Sequence, residues 1–88
     1  MSTEFRTIDT RSMQYEGQYE FEYRLLTSGD EEYSIEARLN SLTDGADDAL
    51  VVRDVTRRKA EAERIFHMIS DGLVTPMTLL GVVYDLIA

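Results

Sequence analysis

A chain of 88 residues with 43% hydrophobic residues is long enough for one small domain and too hydrophobic for a disordered segment. Its formal net charge is −8, and it contains no cysteine, which excludes a disulfide framework and a thiolate metal site. Because cysteine-free chains fit a reducing compartment, we expect a cytoplasmic protein.

The negative charge is concentrated in the first part of the chain. Residues 1–56 contain 13 acidic residues against 5 arginines, whereas residues 57–88 contain 4 acidic and 4 basic residues. This distribution repels nucleic acid and includes no basic stripe, so we expect no nucleic-acid partner. The longest apolar stretch, LLGVVYDLIA, is interrupted by Asp85 and is too short to span a bilayer, so we expect no membrane insertion.

Residues 1–17 are predicted to be an irregular N-terminal segment with at most one short element. Their large hydrophobic residues fit no single helix or strand period: Phe5, Ile8, Met13 and Tyr15. We therefore count no strand of the sheet in this segment.

Two alternating segments follow, QYEFEYRLL and EYSIEARLNSL, separated by the turn SGDE. Alternation with a period of two predicts half-buried strands that pair as a hairpin. The register that keeps the apolar faces together places Ser28 opposite Glu32, with residues 29–31 as the loop. It brings two apolar pairs and two ion pairs together: Phe21–Leu39, Leu25–Ile35, Glu22–Arg38 and Arg24–Glu36.

A third strand is predicted from ALVVRDVT, after the turn TDGADD. Its Leu50-Val51-Val52 centre is apolar on both faces, which indicates a well-covered strand. Residues 18–56 are therefore predicted to form a three-stranded antiparallel meander.

Residues 57–88 are predicted to form one long C-terminal helix with Thr56 as its N-cap. Apolar residues recur along it every three or four positions, which predicts a packing seam. The seam residues expected at a dimer interface are Ile65, Ile69, Leu73, Leu80 and Val83. Pro76 lies on the same seam and is the one residue that does not fit it. From Met77 onward, apolar residues surround the helix, which indicates burial among other helices.

The predicted fold is thus α+β, a three-stranded antiparallel meander followed by one long helix. A stretch that begins YEFEYRLL and ends RRKAEAER resembles the C-terminal half of a PAS sensory domain, often called PAC. In that family an Asp-[Ile/Val]-Thr motif ends the sheet and precedes an exit helix. Here the motif is Asp54-Val55-Thr56. The resemblance implies that Asp54 and Thr56 couple the sheet to the helix, with Arg57 or Arg58 as the partner of Asp54.

A second stretch, FHMISDGLVTPMT, resembles the phosphoacceptor helix of sensor histidine kinases. That family has the motif Phe, three residues, then Ser-His-Glu-Leu-Arg-Thr-Pro-Leu-Thr. Six residues of this chain match it in register: Phe66, Ser70, Leu73, Thr75, Pro76 and Thr78. The resemblance implies a dimerisation helix that the proline kinks just after the phosphoacceptor position.

The positions of that motif that carry the kinase chemistry have other residues in this chain. Asp71 replaces the phosphoacceptor histidine, Gly72 replaces the acidic residue that assists transfer, and Val74 replaces arginine. Because a carboxylate lacks the nucleophilic imidazole nitrogen, the resemblance implies a degenerate motif without kinase chemistry. His67, the only histidine, lies one turn before Asp71 and is the alternative phosphoacceptor.

The predicted function is that of a truncated PAS-type module of a two-component sensor kinase, which catalyses nothing and relays signals by protein–protein association. Within a monomer, one helix cannot both cover the apolar face of the sheet and bury its own seam residues. We therefore expect a homodimer or a complex with a sensor kinase. We expect no cofactor, because the pocket-forming half of a PAS domain has no counterpart before the hairpin. The alternatives are a phosphoacceptor component of a split or full-length kinase and a small-molecule-sensing PAS dimer.

Overall fold

The computed structural model describes residues 5–29 and 32–87. Four strands form one antiparallel sheet, in which each strand lies beside its neighbours in sequence. Two helices follow, and both pack on the same face of the sheet. The bounds are β1 Arg6–Tyr15, β2 Tyr19–Thr27, β3 Tyr33–Ser41, β4 Asp47–Thr56, α1 Lys59–Asp71 and α2 Pro76–Ile87. The prediction of a three-stranded meander with one long helix is therefore wrong, because the sheet has a further strand and the helical part is divided in two.

The β2–β3 hairpin has the register that the alternating pattern predicts. All four predicted pairs are present: Phe21–Leu39, Leu25–Ile35, Glu22–Arg38 and Arg24–Glu36. The backbone N–H of Ser28 donates to the carbonyl of Glu32 at 3.0 Å, next to the loop. Asp30 and Glu31 of the predicted loop lie outside the described residues.

The segment predicted to be irregular contains β1, which is an edge strand. It pairs antiparallel with β2 and has a bulge near Ile8. Its side chains on the helix side of the sheet are those of Arg11, Met13 and Tyr15, and most of the strand is exposed. Because an arginine occupies a position that faces the core side, no apolar alternation marks this strand in the sequence.

The helical part is divided by a turn. The N–H of Val74 donates to the carbonyl of Ile69 and the N–H of Leu73 to that of Ser70, both at 3.3 Å. These two bonds form a Schellman motif at the end of α1, with Leu73 at φ 51° in the position where glycine is preferred. Pro76 is the first residue of α2, where its missing N–H would have no helical partner in any case. It begins a helix and does not kink one.

The start of α1 also differs from the prediction. Arg58 occupies the N-cap position without a side-chain capping bond, and the helix begins at Lys59. Thr56, the predicted N-cap, is the last residue of β4. Its Oγ1 accepts a hydrogen bond from the N–H of Arg58 at 3.2 Å, so it stabilises the connection between strand and helix.

The core lies between the sheet and the two helices, which makes the fold a two-layer structure. Its fully buried members are Tyr23, Leu25, Ile35, Ala37, Ala62, Ile65, Phe66, Ile69, Leu79 and Val83. The opposite face of the sheet carries a ladder of ion pairs with N···O distances from 2.8 to 3.9 Å: Glu22–Arg24, Arg24–Glu36, Glu36–Arg38 and Arg38–Asp47. The helices therefore cover the apolar face, and charged side chains cover the other.

Candidate functional site

The predicted signal-coupling motif lies at the junction of β4 and α1. Three residues of β4, 53–55, lie opposite the single β3 residue Ser34 and form a bulge. Asp54, at the centre of this bulge, has φ 54°, and its N–H donates to Ser34 Oγ at 3.1 Å. Val55 is buried in the core. The junction is thus fixed by the backbone of Asp54 and the side chain of Val55, and the Asp54 carboxylate contributes no bond to another described residue.

Arg57 does not pair with Asp54 as the resemblance implied. Its guanidinium lies 3.7 Å from the carboxylate of Glu32, at the start of β3. Because the Arg57 side chain is 71% exposed, we expect this ion pair to contribute less than about 1 kcal/mol to stability. The motif therefore supports the fold locally and forms no polar centre.

Two residues of the degenerate phosphoacceptor motif, Ser70 and Asp71, contact Arg11 of β1, and so does the neighbouring His67. Arg11 Nη1 donates to Ser70 Oγ at 2.6 Å and to Asp71 Oδ1 at 2.7 Å, and it lies 3.4 Å from His67 Nδ1. These contacts tie the last turn of α1 to the edge strand. No sequence signal marks Arg11 as a site residue, because the strand that carries it lacks apolar alternation.

The same contacts engage the polar side chains of Ser70 and Asp71 within the fold. Ser70 is buried, and its hydroxyl donates to the carbonyl of His67 at 3.2 Å while it accepts from Arg11. An activated nucleophile needs a hydroxyl next to a general base, whereas this hydroxyl donates to a carbonyl. Asp71 is neutralised by Arg11. We interpret the cluster as a structural clamp.

The predicted dimer seam is divided between the core and the surface. Ile65, Ile69 and Val83 are fully buried within the chain's own core, and Leu73 is half-buried in the turn after α1. Leu80 is 44% exposed. The three buried members cannot contact a partner without unfolding the core, so Leu80 is the seam residue that remains accessible.

Leu80 belongs to an exposed apolar face on α2. Met77, Leu80, Tyr84 and Ile87 are 87%, 44%, 58% and 43% exposed, and Gly81 lies between them; we call these five residues the α2 outer face. Their spacing of three and four residues places them on one stripe of the helix, beside the stripe that contains the buried Leu79 and Val83. A helix that is apolar on all sides is normally covered on all sides, and here the core covers one side. The α2 outer face is therefore the candidate site.

A shallow depression beside the turn between β3 and β4 is a weaker candidate for the functional site. It has a volume of about 250 Å³ and includes three aspartates in its lining, Asp44, Asp47 and Asp48. Hydrogen bonds from the Ala46 N–H and the Ser41 hydroxyl lower the pKa of Asp44, and Asp47 pairs with Arg38. Two of the three carboxylates are thus engaged within the fold, and the volume is below that of usual ligand pockets.

Across residues 5–29 and 32–87, no three His, Asp or Glu side chains lie close enough together to hold a metal ion. Over the same residues, no helix combines the length and hydrophobicity needed to cross a bilayer. In this described part of the chain, the buried side-chain nitrogen without a partner is Arg38 Nε, which lies in the ion-pair ladder.

Comparison with known proteins identifies the family. No curated protein and no solved structure matches the chain. The family model described as "Family of unknown function (DUF6514)" matches residues 3–88, which is nearly the whole sequence. The chain therefore belongs to the DUF6514 family.

Proposed function

We infer that this chain is a non-catalytic protein-binding module that presents the α2 outer face to a protein partner. The observation that carries this proposal is the exposure of four large apolar side chains on one side of a single helix. Apolar surface of this kind is unfavourable in water, and its contiguous exposure marks an interaction site. Burial of Met77, which is 87% exposed, and of Tyr84 would supply most of the driving force.

Charge favours a protein over a bilayer or a nucleic acid as the partner. The chain has a net charge of −8, and α2 carries one charged residue, Asp85, and no basic residue. Helices that bind membrane surfaces usually carry lysine and arginine on their polar side, and anionic lipid repels an acidic chain. The same repulsion opposes binding to phosphate backbones.

A binding role is also supported by the polar clusters, because most of their side chains already form bonds within the fold. The Arg11–Ser70–Asp71 clamp is engaged within the fold, and so is most of the acidic depression. A sensor-kinase signalling role of the kind that the resemblance implied is a second proposal with less support. It depended on a continuous helix, whereas Ile65 and Ile69 of its dimer interface are buried in the core.

Site-specific photo-crosslinking in the cell that makes the protein tests the binding role. A photoreactive amino acid is placed at Met77 in one variant and at Ser12 in another. Ser12 is exposed and lies opposite Glu22, on the sheet face away from the helices. We expect a protein adduct from position 77 and none from position 12.

The Leu80→Lys substitution supplies the control for this experiment. Because Leu80 is 44% exposed and is not a member of the core cluster, the variant should keep the fold and lose the adduct formed from position 77. The mass of the adduct then identifies the partner as a second copy or another protein. Equal adducts from both positions, or none from position 77, would contradict the proposed function.

A further inference from the structure

We propose that the partner of the α2 outer face is a second copy of this chain, bound through an antiparallel pair of α2 helices with a twofold axis at Val82. This inference rests on the proposed function and specifies its partner. The proposed dimer specifies which residues meet at the interface and how the two helices are oriented. Four features of α2 lead to it.

The first feature is the symmetry of the apolar positions. Met77 and Ile87 are each five residues from Val82, and Leu80 and Tyr84 are each two residues from it. In an antiparallel pair centred at Val82, Met77 therefore lies opposite Ile87 of the second copy, and Leu80 lies opposite Tyr84. A twofold interface requires a patch that is complementary to itself, and this spacing provides one.

The second feature is Gly81, which the chain's own packing does not explain. A Cβ built at this position would meet no atom within 4 Å. Glycine in a helix interior is destabilising relative to alanine, so an open position without a packing requirement should not favour it. Next to the twofold axis, however, the missing side chain allows the two helix backbones to approach closely.

The third feature is the charge of α2, which selects the antiparallel orientation. A parallel pair would place the two copies of Asp85 side by side. An antiparallel pair separates them by about 9 Å along the helix axes and moves each carboxylate toward the N-terminus of the other α2. Because a helix N-terminus carries a partial positive charge, that position is favourable for an aspartate.

The fourth feature is the size of the surface, which sets the expected affinity. α2 has 12 residues, so the helix pair is about 18 Å long. A standard interface of about 800 Å² per partner would be about one seventh of the 5647 Å² surface of this chain, more than one short helix supplies. We therefore expect a dissociation constant in the micromolar range. Because each copy carries −8, added salt should strengthen the dimer.

Sedimentation equilibrium of the full chain, at concentrations from about 1 to 500 μM, tests the partner. We expect a reversible monomer–dimer equilibrium that shifts toward the dimer when salt is raised. Leu80→Lys should weaken the dimer at least tenfold, because it places a charge opposite Tyr84 of the second copy. Ser12→Lys makes the same change in charge on the other face, opposite Glu22, and should leave the dimer unchanged.

Single cysteines test the orientation, because the chain has no native cysteine. In the antiparallel pair, residue 81 lies close to its own copy across the axis, so Gly81→Cys should form a disulfide-linked dimer on mild oxidation. Two copies of residue 77 lie about 15 Å apart along the axis, so Met77→Cys alone should not. A mixture of Met77→Cys and Ile87→Cys should form the mixed disulfide.

Several results would overturn the proposal. A well-folded chain that stays monomeric up to 500 μM excludes a second copy, and photo-crosslinking at Met77 then decides independently whether another protein binds there. A dimer that Leu80→Lys leaves intact uses another surface. A disulfide of Met77→Cys with itself, without the mixed disulfide, shows a parallel pair.

Discussion

The hydroxyl of Tyr23 donates a hydrogen bond to the backbone carbonyl of Val74 at 2.8 Å, which links the second strand of the sheet to the turn between the two helices. Tyr23 is fully buried, and its burial raises the pKa of the phenol from 10.0 to about 12. Val74 lies in the turn between the helices, outside both of their hydrogen-bond ladders, so this bond supplies its carbonyl with a partner. This bond thus adds a buried polar link between the sheet and the turn to the apolar packing of the two helices.

Replacing Tyr23 with phenylalanine should destabilise the fold by about 1–3 kcal/mol, because the carbonyl of Val74 is then left without its partner. Urea unfolding followed by far-UV circular dichroism measures this difference. Tyr15→Phe is the matched control, because Tyr15 is 47% exposed and its hydroxyl has no partner in the described part of the chain. Its effect should stay within about 0.5 kcal/mol. Equal effects of the two substitutions would show that the Tyr23–Val74 bond contributes nothing.

The raised pKa of Tyr23 also predicts an alkaline loss of stability. The phenol ionises near 10.0 when the chain is unfolded and near 12 when it is folded. Its contribution is therefore fully present below pH 10 and is lost as the pH rises from 10 to 12, because the unfolded state releases the proton first. Unfolding free energies measured between pH 9 and pH 12 should fall less steeply for Tyr23→Phe than for the wild type. Parallel curves would contradict this assignment.

Ile69 and Leu80 provide a test of which part of the predicted seam is core. Ile69→Ala should destabilise the chain by about 2–5 kcal/mol, because Ile69 is fully buried between the helix and the sheet. Leu80→Ala should change stability by no more than about 0.5 kcal/mol when unfolding is measured at a low concentration of chain. A continuous dimer-forming helix would instead make both substitutions costly in the same concentration-dependent way.

The clamp between Arg11 and the end of α1 should be structural and modest in strength. Arg11→Met removes the bonds to Ser70 and Asp71 and should destabilise by about 1–2 kcal/mol. Asp71→Asn should cost less than about 1 kcal/mol, because its side chain is 66% exposed. A double-mutant cycle between the two positions, measured by urea unfolding, should give a coupling below about 1 kcal/mol. A larger coupling would mean that the pair acts as a buried ion pair.

The hairpin was predictable from sequence because its two strands alternate apolar and polar residues from Tyr19 to Leu25 and from Tyr33 to Asn40. A slip of one residue would have placed charges such as Glu22 and Arg24 on the core side, so a single register was possible. β1 was not predictable in this way. One of its positions on the helix side of the sheet is occupied by the charged Arg11. The pairing of Arg11 with Asp71 depends on the three-dimensional fold and cannot be read from the sequence of β1.

The sequence contains a signal for the division of the helical part, whereas the resemblance to a kinase helix implies one continuous helix. A glycine followed within a few residues by a proline normally marks the end of one helix and the start of the next, and Gly72 and Pro76 have that spacing. Positions 65, 69 and 83 share the predicted seam because both helices bury one face in the same core, whereas Leu80 lies on the α2 outer face. The apolar residues from Met77 onward predict burial among other helices, whereas in the described chain the core covers one side of α2 and leaves Met77 and Tyr84 exposed.

Leu73 gives the sharpest test of the turn between α1 and α2. Its φ of 51° is a left-handed conformation, which costs an L-residue roughly 1–2 kcal/mol and costs glycine nothing. Both Leu73→Gly and Leu73→Ala lose the half-buried leucine side chain. The difference between their unfolding free energies therefore isolates the cost of the left-handed backbone conformation. We expect the glycine variant to be more stable than the alanine variant by about 1 kcal/mol in thermal or urea unfolding.

The opposite order holds inside a continuous helix, where alanine is more stable than glycine by about 1 kcal/mol. The sign of the difference therefore distinguishes a Schellman turn from an unbroken helix. Thr78, in the first turn of α2, is exposed and supplies the reference, because Thr78→Ala should be more stable than Thr78→Gly. If alanine exceeds glycine at position 73 as well, the two helices are one, and Pro76 is a kink within it.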